Sequence, residues 1–189
     1  IERLFFREKY DRSLMLQRVS RTAATFLEVN MLANMILDEI VSTLYIDKAA
    51  FFLKDKTSKE FRLIAHRNLG KNTNFRLNAD HPLITRLSIS DEAIARRLTE
   101  VLPQFRSLSG QEREALAKID AELFIPLRAQ GNLIGFLAAG KKRNGQIYSH
   151  DDRATLFTLA NQTAIAIENA RLYSDEQLRR RELGALYKL

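Results

Sequence analysis

His66, His81 and His150 are the only histidines in this chain and the side chains best suited to proton transfer or metal binding near neutral pH. They are widely separated and lack the close spacing of a helical ligand pair, so no metal site is expected from them. His66 ends the alternating segment Phe61-Arg62-Leu63-Ile64-Ala65-His66, where it faces either a ligand volume or solvent. His81 precedes Pro82 and reads as structural. Glu112 and Glu114 stand among Arg113 and Lys118, the pattern of a solvated helix face. Lys141 or Lys142 could pair with Asp151 or Asp152 and fasten a strand end to a helix. Asn161, Gln162, Glu168 and Asn169 fall on more than one face of a helix and would cap, bridge or border a seam rather than form a site. There is no cysteine, which removes disulfides, thiolate metal sites, thiol nucleophiles and thioether-linked cofactors. No glycine-rich phosphate loop, nucleophile elbow or paired carboxylates replace them. The residues therefore assign no catalytic group, and the cofactor, if there is one, is unknown.

The elements that hold these residues follow from periodicity. Leu4, Leu14, Val19, Ala23 and Phe26 form a helical stripe that ends near Val29, and a second helical pattern runs from Met31 to Tyr45. The period then changes. Ala49-Ala50-Phe51-Phe52-Leu53, the polar turn Asp55–Lys59 and the segment from Phe61 to His66 predict a β-hairpin. From Gly70 to Ser107 the signals are mixed, with a short strand at Phe75–Leu77 and short helices after His81-Pro82 and around Asp91–Leu102. Ser109-Gly110-Gln111-Glu112 has capping-box spacing and starts a helix. Leu123–Leu127 and Leu133–Ala139, joined by Gln130-Gly131-Asn132, predict a second hairpin, with Pro126 at an unpaired position or bulge. Ser149 and Asp152 then cap a long helix toward Leu189. Beyond Tyr173 this helix keeps only a sparse apolar seam of Leu178, Leu183, Leu186 and Tyr187, which a partner helix would cover.

The net charge of +7 is concentrated at Arg3–Arg12, Lys141–Arg143 and Arg179–Arg181. These clusters have no interleaved aromatics, so solvated helix faces are the expected reading, a juxtamembrane position the second, and no nucleic-acid partner is expected. No apolar run approaches the ~20 residues of a membrane helix, and no signal peptide is recognised. A soluble, cytoplasmic fragment follows as an expectation. A start at Ile1 and an end within a helical pattern at Leu189 suggest a piece of a longer protein, and membrane anchoring of that protein stays open.

Glu122–Leu127, Gly131–Leu137, then Tyr148, Asp151, Asp152 and Leu159–Tyr173 resemble the GAF domains of bacterial sensor proteins, and the likeness extends back to about Glu28. The opening Arg3–Asp11 is similar to the segment after the last membrane helix of some sensor kinases, and Arg180–Leu189 to the entry helix of a further GAF or kinase dimerisation unit. The resemblance implies an α+β, GAF/PAS-like antiparallel sheet of about five or six strands, with terminal helices on one face and a helical or loop insert over the other. It divides the chain into an N-terminal connector helix (1–27), a GAF domain (28–173) and a C-terminal connector helix (174–189). Phe52, His66, Phe75, Leu83, Phe124 and Phe136 become the candidate walls of a ligand pocket between sheet and insert. The asparagine, phenylalanine and glutamate of cyclic-nucleotide-binding relatives are absent around Gly140-Lys141-Lys142, Tyr148 and Asp151-Asp152, and the cysteines of bilin-binding and sulfoxide-reducing relatives are absent as well. The expectation is a non-enzymatic sensory domain. It would bind an unidentified small molecule or relay a signal, through homodimerised terminal helices, to an effector domain in the same chain such as a histidine kinase. The alternative is a degenerate GAF domain that serves only as a dimerisation spacer.

Overall fold

The computed structural model describes residues 24–70, 74–106 and 108–186. The first helical stripe, up to residue 23, and the seam position Tyr187 lie outside these residues. Helix α1 is described over residues 24–43 and runs without interruption through Asn30, where the sequence suggests a change from one helical pattern to another. Asn30 is accommodated because its side-chain amide donates to the Phe26 carbonyl one turn back, at 2.7 Å. No glycine or proline stands in this stretch to stop the helix.

Strands β1 (Ala49–Lys54) and β2 (Phe61–Arg67) form the first hairpin, and β5 (Leu123–Ala129) and β6 (Asn132–Ala139) the second. The second closes through Gln130 and Gly131, both at positive φ, 50° and 77°, with Ala129 opposite Asn132. That is the mirror-image turn whose twist suits a two-residue hairpin. Pairing of β1 with β6 joins the hairpins at the centre of a six-stranded antiparallel sheet, which β3 (Arg76–Leu77) and β4 (Ile94–Ala95) complete in the order β3-β2-β1-β6-β5-β4. The insert between the hairpins supplies β3 to one edge and β4 to the other, so it crosses the full width of one sheet face. Its remaining pieces are α2 (Pro82–Ile89), α3 (Arg96–Val101), a 3-10 turn at Pro103–Phe105 and α4 (Gly110–Ile119). Because β4 pairs only with Leu123 and Phe124, that side of β5 is free of β4 by Pro126, as a residue without an N–H requires.

The insert face buries Phe52, Phe61, Leu83, Leu87, Ile94, Phe124 and Phe136 in one cluster. The alternate residues Phe51, Leu53, Ile125, Leu127, Leu137 and Ala139 are buried on the other face. Helix α1 carries a buried stripe of Ala33, Leu37 and Ile40, continued by Leu44 in the turn that follows, and helix α5 (His150–Leu186) one of Leu156, Ala160 and Ala164. Two bulges adjust the pleat. Phe51 pairs with Ala65 but Phe52 with Leu63, and Leu127 pairs with Gly135 but Arg128 with Leu133. The first leaves Ile64 as the extra residue, so His66 lies on the same face as Leu63 and Phe61 rather than alternating against them.

Arg128 ties the insert to β5. Its Nη2 donates to the carbonyls of Leu87, Ser88 and Ser90 at 2.7, 2.6 and 2.9 Å, closing the C-terminal end of α2 with a cation. By internal contacts the chain divides into Leu32–Ile165, which holds the sheet and insert, and a unit of the two helix ends, described here over residues 24–31 and 166–186. Among the described residues no helix is long and apolar enough to cross a membrane.

Candidate functional site

An open cleft of about 380 Å³ lies in the insert between α3, the 3-10 turn, α4 and the first residues of β5. Phe105, Leu108, Leu116, Ala121 and Phe124 form its apolar lining, and Arg96, Thr99, Glu100, Arg106 and Arg113 its polar one. Local sequence explains the α4 wall. The Ser109–Glu112 capping box is formed in both directions: the Ser109 amide donates to the Glu112 carboxylate at 2.9 Å and the Glu112 amide to Ser109 Oγ at 3.3 Å. Helix α4 ends on Asp120, whose φ of 47° turns the chain into β5. The Asp120 carboxylate accepts from Lys48 Nζ at 2.8 Å and from Arg96 Nη1 at 2.6 Å, so one acid links the chain before β1, the start of α3 and the end of α4. The hydrogen bond from Lys48, joined by that from Arg96, holds this carboxyl below the usual aspartate range, and the bond to Asp120 raises Arg96 further. Each pair is about one-third exposed and contributes about 0–1 kcal/mol. Their consequence is positional, since they fix the Arg96 rim. Arg113 is held by weaker donations to the Arg106 and Leu108 carbonyls at 3.3 and 3.4 Å.

The six residues named from the sequence are distributed as follows. Phe52 and Phe136 stack with ring centroids 4.4 Å apart and planes 6° from parallel. Phe124 meets Phe136 edge-on at 6.3 Å. Leu83, on α2, is fully buried in the same cluster, and Phe75 packs against it partly buried. His66 stands across from Ala50 on that face, half-buried at the end of the strand. Phe124 alone of the six also lines the insert cleft. Its other apolar walls, Phe105, Leu108, Leu116 and Ala121, carry no strand or long-helix periodicity, and only the Ser109 cap marks their position in the sequence. Among the described residues no group of three or more histidine, aspartate or glutamate side chains is placed to share a metal ion.

His81 takes a structural place. It is 2% exposed, and its Nδ1 accepts from the Leu83 amide at 3.1 Å as the N-cap of α2. Its Nε2 is buried with no hydrogen-bond partner among the described residues. Burial holds its pKa below the ordinary value of 6.5, against smaller opposing effects of the Glu112 and Asp80 charges. Between that lowered value and about 6.5 the unfolded chain binds more protons than the folded one. Stability is therefore complete above about pH 6.5 and is lost as pH falls through this window, where protonation also removes the Nδ1 cap. Chemical denaturation measured from about pH 7.5 to 5 should show this loss. In His81→Asn, which keeps a capping acceptor, the loss should disappear; an equal slope in the variant assigns the titration elsewhere.

The junction of β6 and α5 is the other polar centre. Lys142 Nζ donates to Asp152 Oδ2 at 2.7 Å, and both side chains are nearly buried, at 11% and 13% exposure. Asp152 also completes the cap of α5, accepting from the Ser149 amide at 2.8 Å while its own amide donates to Ser149 Oγ at 3.1 Å. Burial pulls the Asp152 pKa upward, and the hydrogen bonds from Lys142 and Ser149 outweigh it, leaving the carboxyl below its ordinary value. Tyr148 donates to the Gly140 carbonyl at 2.5 Å, and burial pushes its phenol well above the usual range.

The architecture matches known proteins. The solved structure of a GAF domain/HD domain protein from Geobacter sulfurreducens has a TM-score of 0.63 at 14% identity, over 78% of this chain and 96% of that one. The GAF domain of a two-component sensor histidine kinase from Bacillus halodurans has a TM-score of 0.57 at 23% identity, over 75% and 95%. In sequence, the chain is 26% identical over 171 residues to Diguanylate cyclase A from Treponema denticola, covering 88% of this chain but only 45% of that protein. The family model for the GAF domain matches residues 28–169. With this match over most of the chain and the six-stranded antiparallel sheet described above, the chain belongs to the GAF domain family.

Proposed function

We propose that this GAF domain is the sensory and relay unit of a multidomain bacterial signalling protein, that it acts in the cytoplasm as a parallel homodimer, and that it performs no catalysis itself. A small molecule held by the insert, or a movement delivered through α1, would alter how the terminal helices pack. An effector in the same chain, such as a histidine kinase or a cyclase, would read that change. The observation that carries this reading is the exposed apolar line on α5. Ile165, Leu172 and Leu183 are 57%, 46% and 56% exposed. Steps of seven and eleven residues each return to within about 20° of the same helix azimuth, so the three share one stripe. Helix α1 exposes Leu27, Met31 and Met35 at four-residue intervals. Long amphipathic helices with uncovered apolar stripes are the usual material of a two-chain seam.

Sedimentation equilibrium of the chain is expected to give a dimer at micromolar concentration, and Ile165→Asp with Leu172→Asp a monomer with its thermal transition retained. A wild-type chain that stays monomeric at about 100 μM would remove the relay reading.

A second reading, a spacer that dimerises but binds nothing in the insert, is favoured by the Phe52–Phe136 stack, which fills the insert face with side chains. Thermal shift against a metabolite panel separates the two. A ligand of the native state raises stability by RT ln(1 + [L]/Kd), about 2.7 kcal/mol at one hundred times Kd.

A further inference from the structure

A second cleft, of about 450 Å³, opens where the start of α3, the start of β5, the loop after β6 and the first turn of α5 meet. It contains Arg96, Arg97, Lys141, Lys142 and Arg153 against a single acid, Glu122. Arg96 and Lys142 are engaged, by Asp120 and Asp152 at 2.6 and 2.7 Å. Arg97, Lys141 and Arg153 have no acidic partner within salt-bridge distance among the described residues, yet three separate chain segments bring them to one concavity. Cations gathered in this way repel one another, and a concave surface focuses their field onto whatever enters. The remaining wall mixes Gln146 and Tyr148 with the apolar Leu123, which is buried, and Ile147, which stands 89% exposed at the rim beside the Gly145 turn.

We propose that this cleft is a binding site for a phosphate-bearing small molecule with at least two negative charges. Arg97, Lys141 and Arg153 would engage its phosphates, and Ile147 and Leu123 its less polar part. Arginine forks match phosphate oxygens in pairs, and lysine adds a mobile point charge. The volume lies within the about 300–1,000 Å³ usual for small ligands. The cations converge in a hollow and do not run as a stripe, which separates this site from a nucleic-acid track. It is distinct from the insert cleft and does not depend on the dimer reading. Since Arg153 belongs to α5, occupancy would bear directly on the helix assigned the relay.

The test is calorimetric titration of the full chain with sodium pyrophosphate and with ATP, magnesium-free, at ionic strength held constant with sodium chloride. Saturable binding is expected. It should weaken at least about tenfold in Arg97→Ala and again in Arg153→Ala, the loss expected for one charge-assisted hydrogen bond. Arg113→Ala, at the insert cleft, should bind as the wild type does. Unliganded thermal transitions, measured alongside, should be alike in all three variants, because the altered side chains are exposed. The proposal is overturned if heat tracks ionic strength alone, or if Arg97→Ala with Arg153→Ala binds like the wild type. It is equally overturned if duplex DNA or poly-glutamate uses the same residues and outcompetes ATP at equal charge.

Discussion

Gly135→Ala is expected to destabilise the domain by about 3 kcal/mol or more, the upper range for forcing an added carbon into a packed core. A Cβ at this position would collide with the Phe52 carbonyl oxygen and lie 2.8 Å from Leu53 Cδ2 and 3.3 Å from Leu127 Cδ1. The nearest of these is backbone of the central strand, and Gly135 pairs with Leu53 in the β1–β6 ladder that joins the two hairpins. Leu53 can rotate, but the Phe52 carbonyl can retreat only by opening that ladder. Conformational freedom is not the issue here, because Gly135 is not among the glycines at positive φ. Urea denaturation measures the effect: the midpoint should fall sharply with the slope unchanged. A loss under about 1 kcal/mol would mean that the two central strands can part locally, contrary to the register described.

This packing constraint also marks the limit of what local sequence conveys. The hairpins, the Ser109 and Ser149 caps and the two-residue turn at Gln130-Gly131 rest on neighbouring residues, and their signals are legible without tertiary structure. The bulge at Ile64 is not: period-two alternation sets His66 against Phe61 and Leu63, and pairing with β1 brings all three to one face. Strand β4 is two residues long and exists because β5 offers it an edge, so no run of residues announces it. The insert cleft depends on Arg96, Asp120 and Lys48, which meet from three regions of the chain. Phe52, Phe124 and Phe136 reach one face by alternation alone, whereas the mutual stacking of Phe52 and Phe136 depends on the β1–β6 register. The boundary between the two N-terminal helical patterns illustrates the converse, since α1 runs through it as one helix.

Phe136→Ala is expected to cost about 3–5 kcal/mol, the range for removing a buried aromatic ring, and to lower the thermal midpoint by roughly 6–20 °C for a chain of this size. Phe136 is fully buried and is the hub of the insert-face aromatics, stacked on Phe52 at 4.4 Å and flanked by Phe61 and Phe124 at 6.2 and 6.3 Å. Truncation therefore removes three ring contacts as well as the area one ring covers. Part of the loss belongs to the stack itself. A double-mutant cycle with Phe52→Leu should return a coupling of about 0.5–1.5 kcal/mol beyond the single costs. The cycle also bears on function, because the ring occupies the volume that a ligand between sheet and insert would need. A full cost with measurable coupling means that this volume is core, and moves any sensing to the insert cleft or to the cationic one. A cost below about 1.5 kcal/mol would mean that the insert closes over the gap or admits solvent readily, and that a ligand could displace the ring and occupy the face.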